Sequence, residues 1–260
     1  MDLQLRQKRA VVTGGSKGIG RAVAEELVAE GAVVAICSRH QGELEETASE
    51  LRAGGGEVTA LPCDVTDARQ VASFVATCAE AMGGIDVLVN NAGGARPGSF
   101  ATLSDVDWQA DLEIKLLSQI RCTREALPHL RQSASPSVVG INAVYGRYPD
   151  PAFFATTVIR AACLSFSKVL AQEVGRDGVR VNSVNIGFVD TPQWVNIHAR
   201  RAPDVGYEEF LTTLAEQEVP LGRFGRVDEV SGLVAFLASP RSTYITGASI
   251  DVAGGMGKYV

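Results

Sequence analysis

The chain has 260 residues, of which 46% are hydrophobic, 21% charged and only 6% aromatic, with a formal net charge of −6. That length and composition fit one α/β sheet wrapped in helices around a single core and exclude a disordered or fibrous chain. The acidic balance lacks the basic footprint that non-specific nucleic-acid binding needs, so no nucleic-acid partner is expected.

Residues 1–8 hold no apolar leader core, and no run is apolar for long enough to cross a bilayer, so a cytoplasmic protein without membrane contact is expected. A strand is predicted at 10–13, where an apolar run ends in glycines. A helix comes next over 21–30, then a strand over 32–37 and a Glu-rich helix over 43–53. Further strands are predicted at 57–61 and 85–89 around a helix at 68–82, then one long helix over 105–132. A strand at 137–141, a helix at 157–174, a strand at 179–184, a helix at 227–237 and a strand at 248–252 complete the series. This alternation implies right-handed βαβ units and a parallel sheet in a single domain over 1–260, with the least regular stretch, 191–219, as a substrate lid. Cys37, Cys63, Cys78, Cys122 and Cys163 form no C-x-x-C pair and read as small buried hydrophobes, and His40, His129 and His198 lack zinc-ligand spacing, so no metal is expected.

The first chemical motif is Thr13-Gly14-Gly15-Ser16-Lys17-Gly18-Ile19-Gly20, placed between a strand and a helix. Glycines there allow a tight turn and close approach of a pyrophosphate to the helix N-terminus, where N–H groups and the dipole favour negative charge. The spacing T-G-x-x-x-G-x-G resembles the fingerprint of the short-chain dehydrogenase/reductase family. Downstream segments resemble it as well: Asp64-Val65, Asn90-Asn91-Ala92-Gly93, Asn182, Gly187-Phe188-Val189-Asp190-Thr191, Pro220-Leu221-Gly222-Arg223-Phe224-Gly225 and Tyr244-Ile245-Thr246-Gly247 with Gly254-Gly255. The resemblance covers essentially the whole chain. It implies a Rossmann doubly wound fold, a seven-stranded parallel sheet with helices on both faces. It also implies a dinucleotide contacted by Gly14, Ser16, Gly18, Ile19, Gly20, Asn91, Ala92, Gly93, Gly187, Val189 and Thr191, with Asp64 and Val65 at the adenine. A homotetramer or dimer built on the long helices is a further implication.

Ser38 stands where an acidic residue would bind the adenine ribose of NAD, Arg39 is next to it, and Lys17 lies in the glycine loop. A carboxylate would repel a 2′-phosphate and two cations would hold it, so NADP(H) is favoured over NAD(H), unless both cations are merely solvated.

In the family a Tyr four residues before a Lys donates the proton, with a Ser thirteen residues before the Tyr and an Asn on the preceding helix. The segment 161–168 resembles the stretch just after the family Lys, which places Arg160 at the Lys position, Thr156 at the Tyr position and Ala143 at the Ser position. Counting on from Trp108 places Lys115 at the Asn position. An aliphatic hydroxyl is a poor acid and a guanidinium cannot shed a proton, so the family's proton donor is missing. Lys115 and Arg160 are expected to form an electropositive centre for an oxyanion or carboxylate, with Glu113 or Asp150 as the nearby balancing groups. Asn142 is a candidate hydrogen-bond donor and Tyr145 a candidate to reach the site, although Lys115 on a helix surface and Tyr145 in packing stay open. Two functions are consistent with these residues. One is an NADP(H)-dependent oxidoreductase acting on a small carbonyl or activated alkene, anionic substrates included, by a non-standard proton-donor arrangement. The other is a non-catalytic NADP(H)-binding protein serving as redox sensor or structural partner.

Overall fold

Strand β1 (Arg9–Thr13) points Val11 and Val12 to opposite faces, and both are fully buried, so the sheet has to be covered on both sides. The computed structural model describes residues 1–257; the last three positions of the expected 1–260 domain lie outside the described residues. The helices before the sheet's midpoint are α1 (Gly18–Ala29), α2 (Gln41–Ala53) and α3 (Ala68–Met82), alternating with β2 (Val33–Ser38), β3 (Val58–Pro62) and β4 (Val87–Asn90). Then come α4 (Asp105–Leu112), α5 (Ser118–Leu130), β5 (Ser137–Ala143), α6 (Phe154–Val174) and β6 (Arg180–Ile186). The chain closes with α7 (Pro192–Arg201), α8 (Tyr207–Glu218), α9 (Val227–Ala238) and β7 (Ser249–Val252).

All pairings are parallel, in the order β3-β2-β1-β4-β5-β6-β7, which is the expected seven-stranded doubly wound sheet. Val12, Ile36, Val89 and Val139 pack on one face under α1, α2 and α9, and Val11, Ala35, Leu88 and Val138 on the other under α3, α5 and α6. The strand order reverses between β1 and β4, so their C-terminal ends diverge and open a crevice there.

Four expectations need correction. Strands β5 and β6 run two residues past their predicted ends. The polar Asn142 and Asn185 break the apolar run, but their Nδ2 groups bond sideways to Ser183 on β6 and to Ser249 and Asp251 on β7, which gives their donors partners in the sheet. The single helix predicted over 105–132 is interrupted by one π-helical turn, Glu113–Leu117, where the N–H of Ser118 reaches back to the carbonyl of Glu113. No Gly or Pro marks that turn; contacts from Lys115 to another helix lie behind it. The stretch 191–219 is not irregular but helical, forming α7 and α8. Its register is set by an aromatic cluster in which Trp194 meets Phe188 and Phe224 at ring-centroid separations of 4.9 Å each. Finally, Phe154–Asp177 is one helix long and apolar enough to cross a bilayer, with a mean hydropathy of 1.4, where no such run was expected. One face of it, including Ile159, Cys163 and Ala171, is buried in this fold, as in any core helix that passes the same test.

Arg180, at the start of β6, is 6% exposed and is bound by carbonyls rather than a carboxylate. It donates to the carbonyls of Leu237 (2.7 Å), Ser239 (3.1 Å) and Ser242 (3.3 Å) and to Ser242 Oγ (2.6 Å), closing the C-terminus of α9. Those oxygens are orphans of the helix end, and a cation there also meets the negative pole of the dipole. Arg180→Met is expected to cost about 3 kcal/mol in urea denaturation, because the stranded carbonyls remain buried.

Candidate active site

A cleft of about 440 Å³ runs across the C-terminal ends of β1, β2, β4, β5 and β6. Its floor is the glycine loop. Gly14 takes a left-handed φ of +66°, and the N-cap of α1, Lys17, offers no side-chain cap, which leaves the helix start open to a ligand. The loop is tied to β4 by one residue on each side. Asn91 Nδ2 donates to the carbonyls of Thr13 (2.9 Å) and Gly14 (3.1 Å), and Thr13 Oγ1 accepts from the N–H groups of Asn91 and Ala92 at 3.0 Å each.

Gly14, Ser16, Lys17, Gly18, Ile19, Gly20, Ser38, Arg39, Val65, Asn91, Ala92, Gly93, Gly187, Val189 and Thr191 all line the cleft. Asp64 does not. Its carboxylate turns back on its own loop and accepts from the N–H (2.9 Å) and Oγ1 (2.8 Å) of Thr66, so the wall there is Cys63 and Val65. The cationic pair is placed at the same end, but Lys17 Nζ already meets Glu43 Oε2 at 3.2 Å. Glu43, in the first turn of α2, also lines the cleft; in the sequence it reads as one more acid in a Glu-rich helix. Ser38 Oγ donates to the carbonyl of His40, and Arg39 is exposed. The five cysteines are buried and unpaired, as expected from their spacing.

At the opposite end lie Ala143, Tyr145, Thr156 and Arg160, with Phe153, Trp194, Asn196 and Ile197 facing them. Arg160 is 8% exposed; its Nη1 donates to the carbonyl of Ile141 (2.9 Å) and to Asn142 Oδ1 (3.2 Å), while its Nε has no hydrogen-bond partner. Lys115 does not line the cleft. It is fully buried, and its Nζ donates to Asp111 Oδ2 (2.5 Å) and to Thr156 Oγ1 (2.7 Å), so it reaches the cleft only through the threonine hydroxyl. Neither Glu113 nor Asp150 balances it. Glu113 pairs with Arg121 at 2.6 Å, and Asp150 accepts from the N–H of Ala152 at 2.8 Å. The partner is Asp111, one helical turn before Lys115; that i, i+4 spacing is the signal by which the sequence could have revealed it.

Burial and the nearby Arg160 charge pull the Lys115 amine down to about 8, against the opposing pull of Asp111. Tyr145 is no substitute acid: burial, with Asp150 nearby, drives its hydroxyl well above the ordinary phenol range, and its ring stacks on Phe153 at 5.0 Å. Asn142 is not a donor to the cleft either, because its Nδ2 is committed to Ser183 Oγ at 3.0 Å and its Oδ1 to Arg160 and Gln119. Of the 191–219 stretch, α7 contributes Pro192, Gln193, Trp194, Asn196 and Ile197; α8 packs behind them and does not line the cleft.

Residues 14–257 match a family model described as enoyl-(acyl carrier protein) reductase. The chain is 34% identical over 247 residues to the short-chain reductase protein NovJ of Streptomyces niveus, covering 95% of this chain and 92% of that one. An NADPH-bound short-chain oxidoreductase of Pseudomonas aeruginosa PAO1, which contains an atypical catalytic centre, is similar with a TM-score of 0.90 and 39% identity, over 96% of this chain and 97% of that one. L-sorbose reductase of Gluconobacter frateurii, complexed with NADPH and L-sorbose, is similar with a TM-score of 0.97 and 32% identity over 100% of both chains.

The tightest approach in the glycine loop makes a specific prediction. A Cβ on Gly20 would stand 2.2 Å from the Gly14 carbonyl oxygen and 2.3 Å from Asn91 Nδ2, where neither backbone nor the doubly bonded amide can give way. Gly20→Ala should cost about 3 kcal/mol of stability as an overpacking defect, read by denaturation, and should weaken dinucleotide binding in a fluorescence titration.

Proposed function

The chain belongs to the short-chain dehydrogenase/reductase family of NAD(P)-dependent oxidoreductases, and on that premise we propose that it is an NADP(H)-dependent reductase of small carbonyl or activated-alkene substrates whose proton donor differs from the family's. The observation that carries this reading is the charge at the reacting end of the cleft. Arg160 and Lys115 lie within one helix pair with a single buried carboxylate, Asp111, between the helices, which leaves a net positive site lined by apolar walls. Such a site stabilises an oxygen that becomes negative, the charge change of carbonyl or enone reduction. The NADPH held by two similar structures supports the cofactor assignment.

The residues present fit a dinucleotide. The left-handed Gly14, the uncapped start of α1 and the close approach at Gly20 form a cradle that side chains would fill, and the unpartnered Arg160 Nε belongs to a residue lining the same cleft. Bound NADPH would supply the hydride. The protein holds the pyrophosphate at Gly18, Ile19 and Gly20, meets a 2′-phosphate with Arg39 and Lys17, and excludes water from the reacting end with Phe153 and Trp194. A second copy of the chain is a further part of the proposal, supported by Val106 and Leu112 on α4 and Val158 and Val169 on α6, which are large apolar side chains left exposed.

NADPH should bind more tightly than NADH by about 1–3 kcal/mol, the range of a charge-assisted contact. Arg39→Ala should erase most of that difference, whereas Glu43→Gln should enlarge it by freeing Lys17 and removing a like charge from the phosphate. Calorimetric titration of both nucleotides reads this, and equal affinities in the wild type would contradict it. Turnover is tested by NADPH absorbance with acetoacetyl-CoA, crotonyl-CoA, 2-cyclohexenone and L-sorbose. Wild-type turnover of one of these is expected, and Arg160→Met should abolish most of it.

A further inference from the structure

The proton that completes reduction needs a source, and the groups expected to supply it are absent or committed. Ala143 has no hydrogen to give, Asn142 is bonded to Ser183, Tyr145 is a weaker acid than a free phenol, and Arg160 does not deprotonate. Thr156 is the one hydroxyl at this end of the cleft that is in contact with a titratable cation among the described residues. Its Oγ1 accepts from Lys115 Nζ at 2.7 Å, so its own hydrogen is directed elsewhere; Asp111 Oδ2 lies at a long 3.4 Å, and the open cleft is the other direction.

We infer that Thr156 is a catalytic relay, handing its hydroxyl proton to the substrate oxyanion while taking one from Lys115, and that Asp111 is the positioning residue that holds Lys115 on it. The inference rests on the reductase reading above. Hydride addition forms a C–H bond and moves the carbonyl π pair onto oxygen, with reduced nicotinamide as the reductant. The oxyanion takes the Thr156 proton, Thr156 Oγ1 takes a proton from Lys115 Nζ, and Lys115 is left as a neutral amine. The threonine carries no net charge at any stage, so its own weak acidity does not limit it. After product leaves, water in the cleft returns a proton along the same path.

The local structure is built for this. Lys115 sits in the π-helical turn, with Asp111 one turn before it, and Arg160 and Cys163 face it from α6. Arg96 approaches Asp111 from behind, 3.8 Å from Oδ1, and Leu103, Trp108 and Leu116 pack with Ile159 and Cys163 into an apolar cluster. Water therefore has no direct access to a Lys115 that is fully buried. Burial and Arg160 bring its amine down to about 8, within the range of a general acid near neutral pH, while Asp111 keeps it from falling further.

Two readouts test the relay, one of them independent of turnover. The sequence has five lysines, Lys8, Lys17, Lys115, Lys168 and Lys258, so ¹³C-lysine labelling gives few ε-carbon signals, and Lys115→Met identifies the one in question. That signal should titrate near pH 8 in the NADPH-bound protein, and Asp111→Asn should lower its midpoint. A midpoint in the ordinary lysine range, or one that Asp111→Asn does not move, overturns the assignment. The second readout is kcat for whichever probe of the panel above is turned over. Lys115 must be protonated to donate, so kcat for reduction should be level below about pH 8 and fall above it. Thr156→Val should lower kcat about 100-fold or more with KM nearly unchanged, and Thr156→Ser should restore it to within about tenfold of wild type. Thr156→Val at wild-type kcat overturns the relay and leaves the reductase reading standing, whereas failure of the wild type with every probe overturns the reductase reading itself. Should Asp111→Asn not fold, the valine and serine variants decide.

Discussion

Two cations, Lys115 and Arg160, face each other across the packed helices, and one buried carboxylate, Asp111, holds the first of them there. At a separation of 2.5 Å, Lys115 and Asp111 attract by roughly 7 kcal/mol at an effective dielectric of about 20, and removing both ions from water costs several kcal/mol apiece. The pair is thus close to break-even as a source of stability, but losing Asp111 alone would strand Lys115 beside Arg160, a defect on the order of 3–5 kcal/mol. The rest of this region depends on that arrangement. The π-helical turn carries Lys115, Thr156 gives its Nζ a second acceptor, and the Arg160 guanidinium is braced on the Ile141 carbonyl and Asn142 rather than on a second acid.

The braces show why neighbouring polar residues are not interchangeable. Asn142 and Ala143 are adjacent on β5 and both line the cleft, yet the Asn142 amide is committed sideways in the sheet to Ser183. A buried amide takes the partner beside it and is then unavailable for chemistry. The same rule operates at the glycine-loop end of the cleft. Asp64 is captured by Thr66, Ser38 by the His40 carbonyl and Lys17 by Glu43, so Arg39 is the group there whose charge is not already met by a carboxylate within ion-pair distance among the described residues. Glu43 thus offsets part of the positive charge that Lys17 and Arg39 bring to this end.

The α7–α8 segment has a different physical basis. Aromatic packing rather than charge holds it; Trp194 meets the stacked pair Phe188 and Phe224 edge-on, with Phe210 beside it, and this packing fixes the wall of the cleft at α7. Apolar contacts of this kind are non-directional, so shape rather than hydrogen-bond geometry sets this wall. Its polar members in the cleft are Gln193 and Asn196, and Gln193 Oε1 accepts from the N–H of Ala95 at 2.8 Å.

The amino-acid sequence by itself determined the local and periodic features. Runs such as 10–13 and 32–37, separated by helices, specify parallel strands covered on both faces, and the glycines from Gly14 to Gly20 specify a backbone that only such residues allow. By resemblance the sequence also sets Thr156 at the family's Tyr position and Arg160 at its Lys position, since register is carried by neighbours along the chain. Only the tertiary structure decided which side chain each polar group meets. Lys115 could be a surface lysine or a buried one by its helix pattern, and Asn142 could face the cleft or the sheet. Periodicity gives the face of an element, but not the partner on another element 41 residues away, as Thr156 is from Lys115. The π-helical turn was hidden for the same reason. It has no breaker residue of its own, and the contacts of its buried lysine exist only once α4 and α6 are packed together.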